Sequence, residues 1–215
     1  MTRTRIKICG IRSVADALAA SSAGADAIGL IFYEPSPRSV TLNQAIAIAS
    51  ALPPFVSTVA LFVDAAADAV NEVIVRLRPT ILQFHGDEEP SYCDQFGLPY
   101  LKALRVGDGI TADDLLKWGE SHKGAKALLL DALARGVYGG SGECFDWRVI
   151  PAQLRRQIVL SGGLHSANVA DAIRMIRPWA VDVSSGVEMQ NGPKGTKDHA
   201  RIRQFIEEVR NADAA

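Results

Sequence analysis

Short apolar segments alternate with amphipathic segments along the whole chain. Most of the apolar segments are nearly continuous in Val, Ile, Leu and Ala, which is the composition of strands buried on both faces of a parallel sheet. Because strands that alternate with helical patterns indicate βα units, the pattern predicts an α/β fold. The eight predicted strands are Arg5–Cys9, Ala27–Phe32, Ser57–Phe62, Thr80–His85, Tyr100–Arg105, Ala127–Asp131, Gln157–Ser161 and Ala180–Ser184.

The segments between the strands carry the signals of helices. Thr41 and Gln44 have the spacing of a capping box, and Ser166 has the position of an N-cap residue. The fourth helix is predicted to be weak, and the sixth weaker still because the glycine-rich residues 136–142 follow its strand. Two later helices have a clear apolar face, formed by Val169, Ala172, Ile173 and Ile176 in one and by Ile202, Phe205, Ile206 and Val209 in the other.

Eight βα units in a chain of 215 residues predict a (β/α)8 TIM barrel near the lower end of the size range of that fold. No linker, low-complexity segment or charge run divides the sequence, so we expect one domain over residues 1–215. The structural alternative is an open, doubly wound sheet, which eight consecutive repeats make less favourable.

Charge and composition narrow the class of protein. A net charge of −1 with mixed signs gives no reason to expect a nucleic-acid partner or a membrane surface. No apolar segment approaches the roughly 20 residues that span a bilayer, and residues 1–5 contain no apolar signal core, so we expect a cytoplasmic protein. The three cysteines are widely spaced and no Cys/His cluster is present, so neither a disulfide framework nor a metal site is expected.

Polar side chains recur near the ends of the predicted strands. Successive side chains of a strand point to opposite faces, so the apolar set of each strand is expected to face the helices and the polar set the mouth of the barrel. Active sites of this fold lie at the carboxyl ends of the strands, which indicates a catalytic mouth. The polar residues placed there are Lys7, Cys9, Gln83, His85, Asp131, Asp182 and Ser184.

Two glycine-containing loops indicate a phosphate ligand. Gly162 and Gly163 follow the seventh strand, and Ser184, Ser185 and Gly186 close the eighth. Loops at these two positions form the recurrent phosphate site of the barrel, because glycine lets backbone amides approach an oxyanion. A single Gly-Gly pair would indicate only a turn. Neither Walker A spacing nor the dinucleotide-binding glycine pattern is present.

Several short motifs, in order along nearly the whole chain, resemble those of the phosphoribosylanthranilate isomerase family. One departure is a slightly longer stretch at residues 192–196, which we expect to alter a loop. The motifs are Lys7–Ile11, Phe32–Tyr33, Ser36–Ser39, Gln83–Gly86, Leu129–Asp131, Gly139–Gly142, Phe145–Trp147, Leu160–Leu164, Asp182–Glu188 and Gly195–Asp198.

The resemblance implies an Amadori rearrangement of a phosphosugar joined to anthranilate, a step of tryptophan biosynthesis. An acid protonates the ring oxygen of the ribose and opens the ring to a Schiff base. A base then removes the proton on C2′, and the resulting enolamine becomes the ketone. Proton transfers are sufficient for this scheme, so no cofactor is expected.

By the same resemblance, Cys9 matches the general base and Asp131 the general acid. A free cysteine is more often a buried structural residue, and a strand-end aspartate often caps the next segment. Cys9 must act as a thiolate, and we expect the charge of Lys7, on the same strand face, to lower its pKa. Asp131 must hold a proton near neutral pH.

The remaining site residues are predicted to bind substrate. Arg38 matches the residue that holds the anthranilate carboxylate, although a loop arginine is ordinarily solvated. Asp182 is placed to bind a ribose hydroxyl, and Lys7, on the expected mouth, is also predicted to bind substrate. His85 is expected to line the mouth, with a hydrogen-bonded core histidine as the alternative. The chain is expected to act as a monomer or a homodimer.

Other phosphosugar barrels are the nearest rivals. A pentose-phosphate epimerase would need a His/Asp metal set at its strand ends, and the indole-forming synthase of the same pathway would show catalytic Lys and Glu with an extra N-terminal segment. Neither set is evident in the sequence. A non-catalytic phosphate-binding barrel would not need the Cys9–Asp131 pair. A bifunctional isomerase that also serves the histidine pathway would present an aspartate where this chain has Cys9.

Overall fold

The computed structural model describes residues 3–132 and 144–214. Its eight parallel strands follow one another around a closed barrel, and the first strand pairs with the last. The predicted TIM barrel is therefore confirmed, and the open-sheet alternative is wrong. The strands are β1 (Arg5–Cys9), β2 (Ala27–Ile31), β3 (Ser57–Phe62), β4 (Ile81–Phe84), β5 (Tyr100–Val106), β6 (Ala127–Ala132), β7 (Ile158–Leu160) and β8 (Ala180–Val183).

Helices connect the strands on the outside of the barrel. As expected, the fourth is short, and between residue 144 and β7 the chain forms only 3₁₀ turns, at Trp147–Val149 and Arg155–Gln157. The glycine-rich stretch 136–142 lies outside the described residues. The helices are α1 (Val14–Ala23), α2 (Leu42–Ala51), α3 (Ala67–Leu77), α4 (Pro90–Asp94), α5 (Ala112–Ser121), α6 (Val169–Ile176) and α7 (His199–Ala214).

Local capping chemistry sets several helix starts. Thr41 forms the predicted capping box with Gln44 before α2, and Thr111 forms another before α5. The prediction that Ser166 caps α6 is wrong, because the helix begins later, with Asn168 as its N-cap. The Asn168 side chain is bonded to the loop before it, accepting from the amide of His165 at 2.8 Å. The predicted apolar faces of α6 and α7 are both buried.

Two apolar layers hold the barrel together. The larger layer lies between strands and helices and includes Ile6, Leu82 and Val181. A smaller layer fills the barrel interior with residues such as Leu101 and Leu129. The polar residues of the same strands therefore lie in the part of the barrel interior that is close to the carboxyl ends of the strands, as the alternation predicts. Within the described residues, no helix has the length and apolar character needed to cross a membrane.

Candidate active site

A cavity opens at the carboxyl ends of the strands. It has an apolar wall of Ile31, Leu61 and Val63, and the predicted polar residues gather around the rest of it. The alternation of side chains thus brings strands that are far apart in sequence to one site. The polar lining consists of Cys9, Tyr33, Ser36, Arg38, Gln83, His85, Asp131, Ser161, Asp182 and Ser184.

Lys7 and Cys9 form one side of this site with Asp182. The ammonium of Lys7 donates to Oδ1 of Asp182 at 2.9 Å, and both side chains are buried. Gly29, the neighbour of Cys9 on β2, provides the space: a Cβ at this position would lie 2.7 Å from the Cys9 sulfur and 3.1 Å from Lys7 Nζ. The thiol of Cys9 and the ammonium of Lys7 therefore need glycine at position 29, because a side chain there would crowd both groups.

The electrostatics of Cys9 correct one expectation. Burial raises the pKa of the Cys9 thiol, and it outweighs the opposing effects of the Lys7 charge and hydrogen bond. The expectation of a lowered pKa is therefore wrong, although the predicted influence of Lys7 has the right sign. Burial alone would lower the pKa of Lys7, but Asp182 and Cys9 raise it above its ordinary value. Lys7 is therefore a permanent positive charge beside the thiol.

Asp131 lies at the end of β6, which is three strands from β1 around the barrel. Its Oδ2 is 3.1 Å from Nε2 of His85, and its Oδ1 accepts from the amide of Ala132 at 3.1 Å. Nδ1 of His85 is in turn 2.9 Å from Nε2 of Gln83. His85 is thus both a lining residue, as predicted, and a buried, hydrogen-bonded histidine.

Arg38 is buried at the cavity rather than solvated. It donates from Nε and Nη2 to the two oxygens of Glu188, at 2.6 and 3.1 Å. Glu188 also accepts from Lys197 at 3.1 Å and from the amide of Gly195 at 3.1 Å. Burial would raise the pKa of Glu188, but the bonds from Arg38 and the charge of Lys197 hold it below its ordinary value. The carboxylate fixes the guanidinium, whose Nη1 forms no bond to this partner.

The two predicted phosphate loops lie side by side. A Cβ on Gly186 would fall 2.0 Å from the carbonyl oxygen of Leu164. Gly162 and Gly163 have φ of +81° and +64°, a region that favours glycine. Within the described residues, neither of their amides donates a hydrogen bond. Ser185 and Gly186 form a 3₁₀ turn after Ser184, whose hydroxyl donates to the carbonyl of Cys9 at 3.1 Å.

Sequence reasoning gave no role to several residues of this site, among them Glu188, Lys197 and Gly29. Glu188 and Lys197 stand within motifs but received no role, since nothing local shows that they are buried together with Arg38. Gly29 carries no chemistry, and only its register beside Cys9 reveals its importance. Residues 3–132 and 144–214 contain no group of three or more His, Cys, Asp and Glu side chains placed to hold a metal ion.

Comparison with known proteins gives a consistent result. The family model described as N-(5'phosphoribosyl)anthranilate (PRA) isomerase matches residues 6–208. A Pseudomonas fluorescens protein of that name is 52% identical over 215 residues, covering 100% of both chains. A crystal structure of the Thermotoga maritima isomerase has a TM-score of 0.85 at 38% identity, covering 97% of this chain and 99% of that one.

A second crystal structure is of a phosphoribosyl anthranilate isomerase in complex with reduced 1-(o-carboxyphenylamino)-1-deoxyribulose 5-phosphate. It has a TM-score of 0.82 at 35% identity and covers 97% of this chain and 99% of its own. The ligand in that protein is a phosphosugar joined to an aromatic carboxylate.

Proposed function

The chain belongs to the N-(5′-phosphoribosyl)anthranilate isomerase family, and we propose that Asp131 and Cys9 are the acid and the base of its reaction. The enzyme isomerises N-(5′-phosphoribosyl)anthranilate to 1-(2-carboxyphenylamino)-1-deoxyribulose 5-phosphate, an Amadori rearrangement in tryptophan biosynthesis. The observation that carries the proposal is that both groups line one cavity, although their strands, β6 and β1, are three places apart around the barrel. A sugar bound between them would have the carboxyl group of Asp131 on one side and the thiol of Cys9 on the other.

Ring opening is the task of Asp131. The carboxylic acid gives its proton to the furanose ring oxygen, the bond from that oxygen to C1′ breaks, and the nitrogen lone pair forms the protonated Schiff base. Asp131 is left as a carboxylate, which the imidazole N–H of His85 and the amide of Ala132 can stabilise. A positioned acid of this kind contributes roughly 10²–10⁴-fold to the rate.

Removal of the C2′ proton is the task of Cys9. Because burial raises the pKa of the thiol, little thiolate is present before substrate binds. The positive charge of the Schiff base, added to that of Lys7, favours loss of the thiol proton to solvent, which leaves the thiolate at the moment when a base is needed. The thiolate takes the C2′ proton, the electrons of the C–H bond form the enolamine, and ketonisation completes the reaction.

The other residues account for substrate binding. Arg38, fixed by Glu188, is suited to the anthranilate carboxylate, since the guanidinium is a flat, multiple donor. The amides of Gly162 and Gly163, together with the turn at residues 184–186, are suited to the phosphate. Asp182, with Lys7, faces the ribose hydroxyls. His85 borders the sugar beside Asp131.

The scheme moves protons and involves no net oxidation, so it requires no redox cofactor or metal. The partner we propose is the small phosphosugar–anthranilate substrate, in the cytoplasm, without a nucleic acid or a membrane. The assembly is expected to be a monomer or a homodimer, which light scattering distinguishes.

The direct test mixes the purified protein with freshly prepared phosphoribosylanthranilate and follows the loss of its fluorescence. We expect turnover that survives exhaustive chelation. Turnover that disappears with a chelator and returns with one divalent ion would contradict a mechanism of proton transfer alone and would favour an epimerase-type site.

A further inference from the structure

The arginine that borders the cavity is paired with a carboxylate of the protein itself. Arg38 donates from Nε and Nη2 to the two oxygens of Glu188, at 2.6 and 3.1 Å, and both side chains are buried. Together, a guanidinium and a carboxylate carry no net charge. Such a pair attracts the carboxylate of a ligand only weakly, because the charge of Glu188 repels it. The proposed role of Arg38 therefore needs a further positive charge.

Lys197 provides that charge from behind the cavity. Its side chain is completely buried, and its Nζ donates at 3.1 Å to Oε1 of Glu188, the same oxygen that accepts from Nε of Arg38. Arg38 lines the cavity, and Lys197 lies on the other side of the carboxylate. These three residues form the charge cluster. Its two buried cations share one buried carboxylate, so the cluster has an excess of one positive charge.

The hydrogen bonds of Lys197 are those of a charged ammonium. Nζ also donates to the main-chain oxygen of Ser184 at 2.9 Å and to its Oγ at 3.3 Å. The hydroxyl of Ser184 donates its own proton to the carbonyl of Cys9 at 3.1 Å, so its oxygen accepts from Lys197. Among the described residues, three acceptors thus match the three N–H donors of an ammonium. Burial lowers the pKa of Lys197, and the charge of Glu188 opposes this effect.

We propose that Lys197 is a positioning residue for substrate recognition: it neutralises Glu188 and so leaves the charge of Arg38 available to the carboxylate of the substrate. The inference rests on the proposed role of Arg38 in binding that carboxylate. A bound carboxylate brings the charge cluster to two cations and two anions, so its buried charges are balanced. A ligand without the carboxylate leaves the excess charge uncompensated. Lys197 thus sets a preference for acidic ligands without contacting them.

Two other sets of charges lie near the charge cluster, and neither replaces Lys197. Lys7 and Asp182 are paired with each other at 2.9 Å, so together they add no net charge. Arg201 donates to the main-chain carbonyl of Glu188 at 3.0 Å, and its side chain is partly exposed. A charge that reaches solvent is screened, so it contributes less than a buried one. Both sets stay in place when position 197 is changed, so the effect of Lys197 can be measured separately.

The test compares two inhibitors, reduced 1-(2-carboxyphenylamino)-1-deoxyribulose 5-phosphate and the same compound without its carboxylate. The ratio of their Ki values measures the preference for the carboxylate, and it does not depend on the fraction of the sample that is folded. Lys197→Met keeps most of the length of the side chain but removes its charge, so the preference should fall by about tenfold or more. The control is Lys117→Met, which removes an exposed charge from α5 and should leave the ratio unchanged.

A second substitution separates charge from packing. Lys197→Met combined with Glu188→Gln leaves Arg38 as the one charge of the cluster, so the excess positive charge returns and the preference should recover most of its wild-type value. Glu188→Gln alone leaves two cations and should strengthen the preference. If Lys197→Met alone does not fold, the fall in preference from Glu188→Gln to the double variant tests the same charge. A double variant no better than Lys197→Met, or equal preferences in all these enzymes, would overturn the inference.

Arg38→Met distinguishes a failure of this inference from a failure of the proposed function. It removes the group that would contact the carboxylate, so we expect it to abolish the preference. A preference that survives Arg38→Met would remove the proposed role of Arg38, and with it the basis of this inference. A preference that is lost in Arg38→Met but unchanged in Lys197→Met would remove only the role of Lys197.

Discussion

Replacing Gly29 with alanine tests whether the empty space beside Cys9 is part of the catalytic site. The new Cβ would lie 2.7 Å from the Cys9 sulfur, 3.1 Å from Cys9 Cα and 3.1 Å from Lys7 Nζ. Non-bonded heavy atoms are comfortable at about 3.5–4.0 Å. The thiol must therefore withdraw by roughly 1 Å, and the backbone of Cys9 limits how it can do so.

The two effects of this substitution differ in size. Overpacking of a filled interior costs about 1–3 kcal/mol, which for a domain of this size lowers Tm by roughly 2–10 °C. A displacement of about 1 Å at a reacting group costs about 10²-fold in rate. We therefore expect Gly29→Ala to fold, to keep KM for the substrate nearly unchanged, and to lose about 10²-fold in kcat.

The assay is the steady-state loss of substrate fluorescence, with Tm measured on the same samples. Gly119→Ala on α5 is the matched control, because its Cβ would meet only Leu154 at 3.4 Å and Leu128 at 3.7 Å, both ordinary contacts. It should keep full activity. A Gly29→Ala enzyme with wild-type kcat would show that the position of the thiol does not limit the reaction.

Three further predictions follow from the other parts of the site. If the glycine loops bind phosphate equally in the ground state and the transition state, Gly163→Ala should raise KM more than it lowers kcat, and inorganic phosphate should compete with substrate. A change in kcat alone would contradict this. Because burial raises the pKa of Cys9, its alkylation by iodoacetamide, followed at that residue by mass spectrometry, should still accelerate above the ordinary cysteine pKa of about 8.5 and be blocked by a product analogue. Glu188→Gln should lower the free energy of unfolding by about 3 kcal/mol at neutral pH. Because the pKa of Glu188 is lowered in the folded state, this difference between variant and wild type should shrink as the pH falls below about 4. A difference in urea melts that does not depend on pH would contradict this.

The alternation of apolar and polar positions was enough to predict most of the framework. Every strand boundary lies within one residue of its prediction, because strands buried on both faces leave a continuous apolar signal. The side-chain alternation also placed Cys9 and His85 at the mouth correctly, since it follows from strand geometry alone.

Features that depend on distant residues could not be predicted. The ion pair of Arg38 with Glu188 joins residues that are 150 positions apart, so the sequence predicted a binding role for Arg38 but not the carboxylate that holds it in place. The sign of the pKa shift of Cys9 depends on burial outweighing the charge of Lys7, a balance that only the folded structure reveals. Helix α6 begins after Asn168 rather than after Ser166, and the side chain of Asn168 is bonded to the amide of His165 in the preceding loop.

The division of labour between Asp131 and Cys9 is the central claim, and the kcat values of Asp131→Asn and Cys9→Ala test it most directly. Each variant should fold, bind a product analogue with nearly unchanged affinity, and lose about 10²–10⁴-fold in kcat. A Cys9→Ala enzyme with near-normal turnover would show that the base is another residue, with His85 the next candidate.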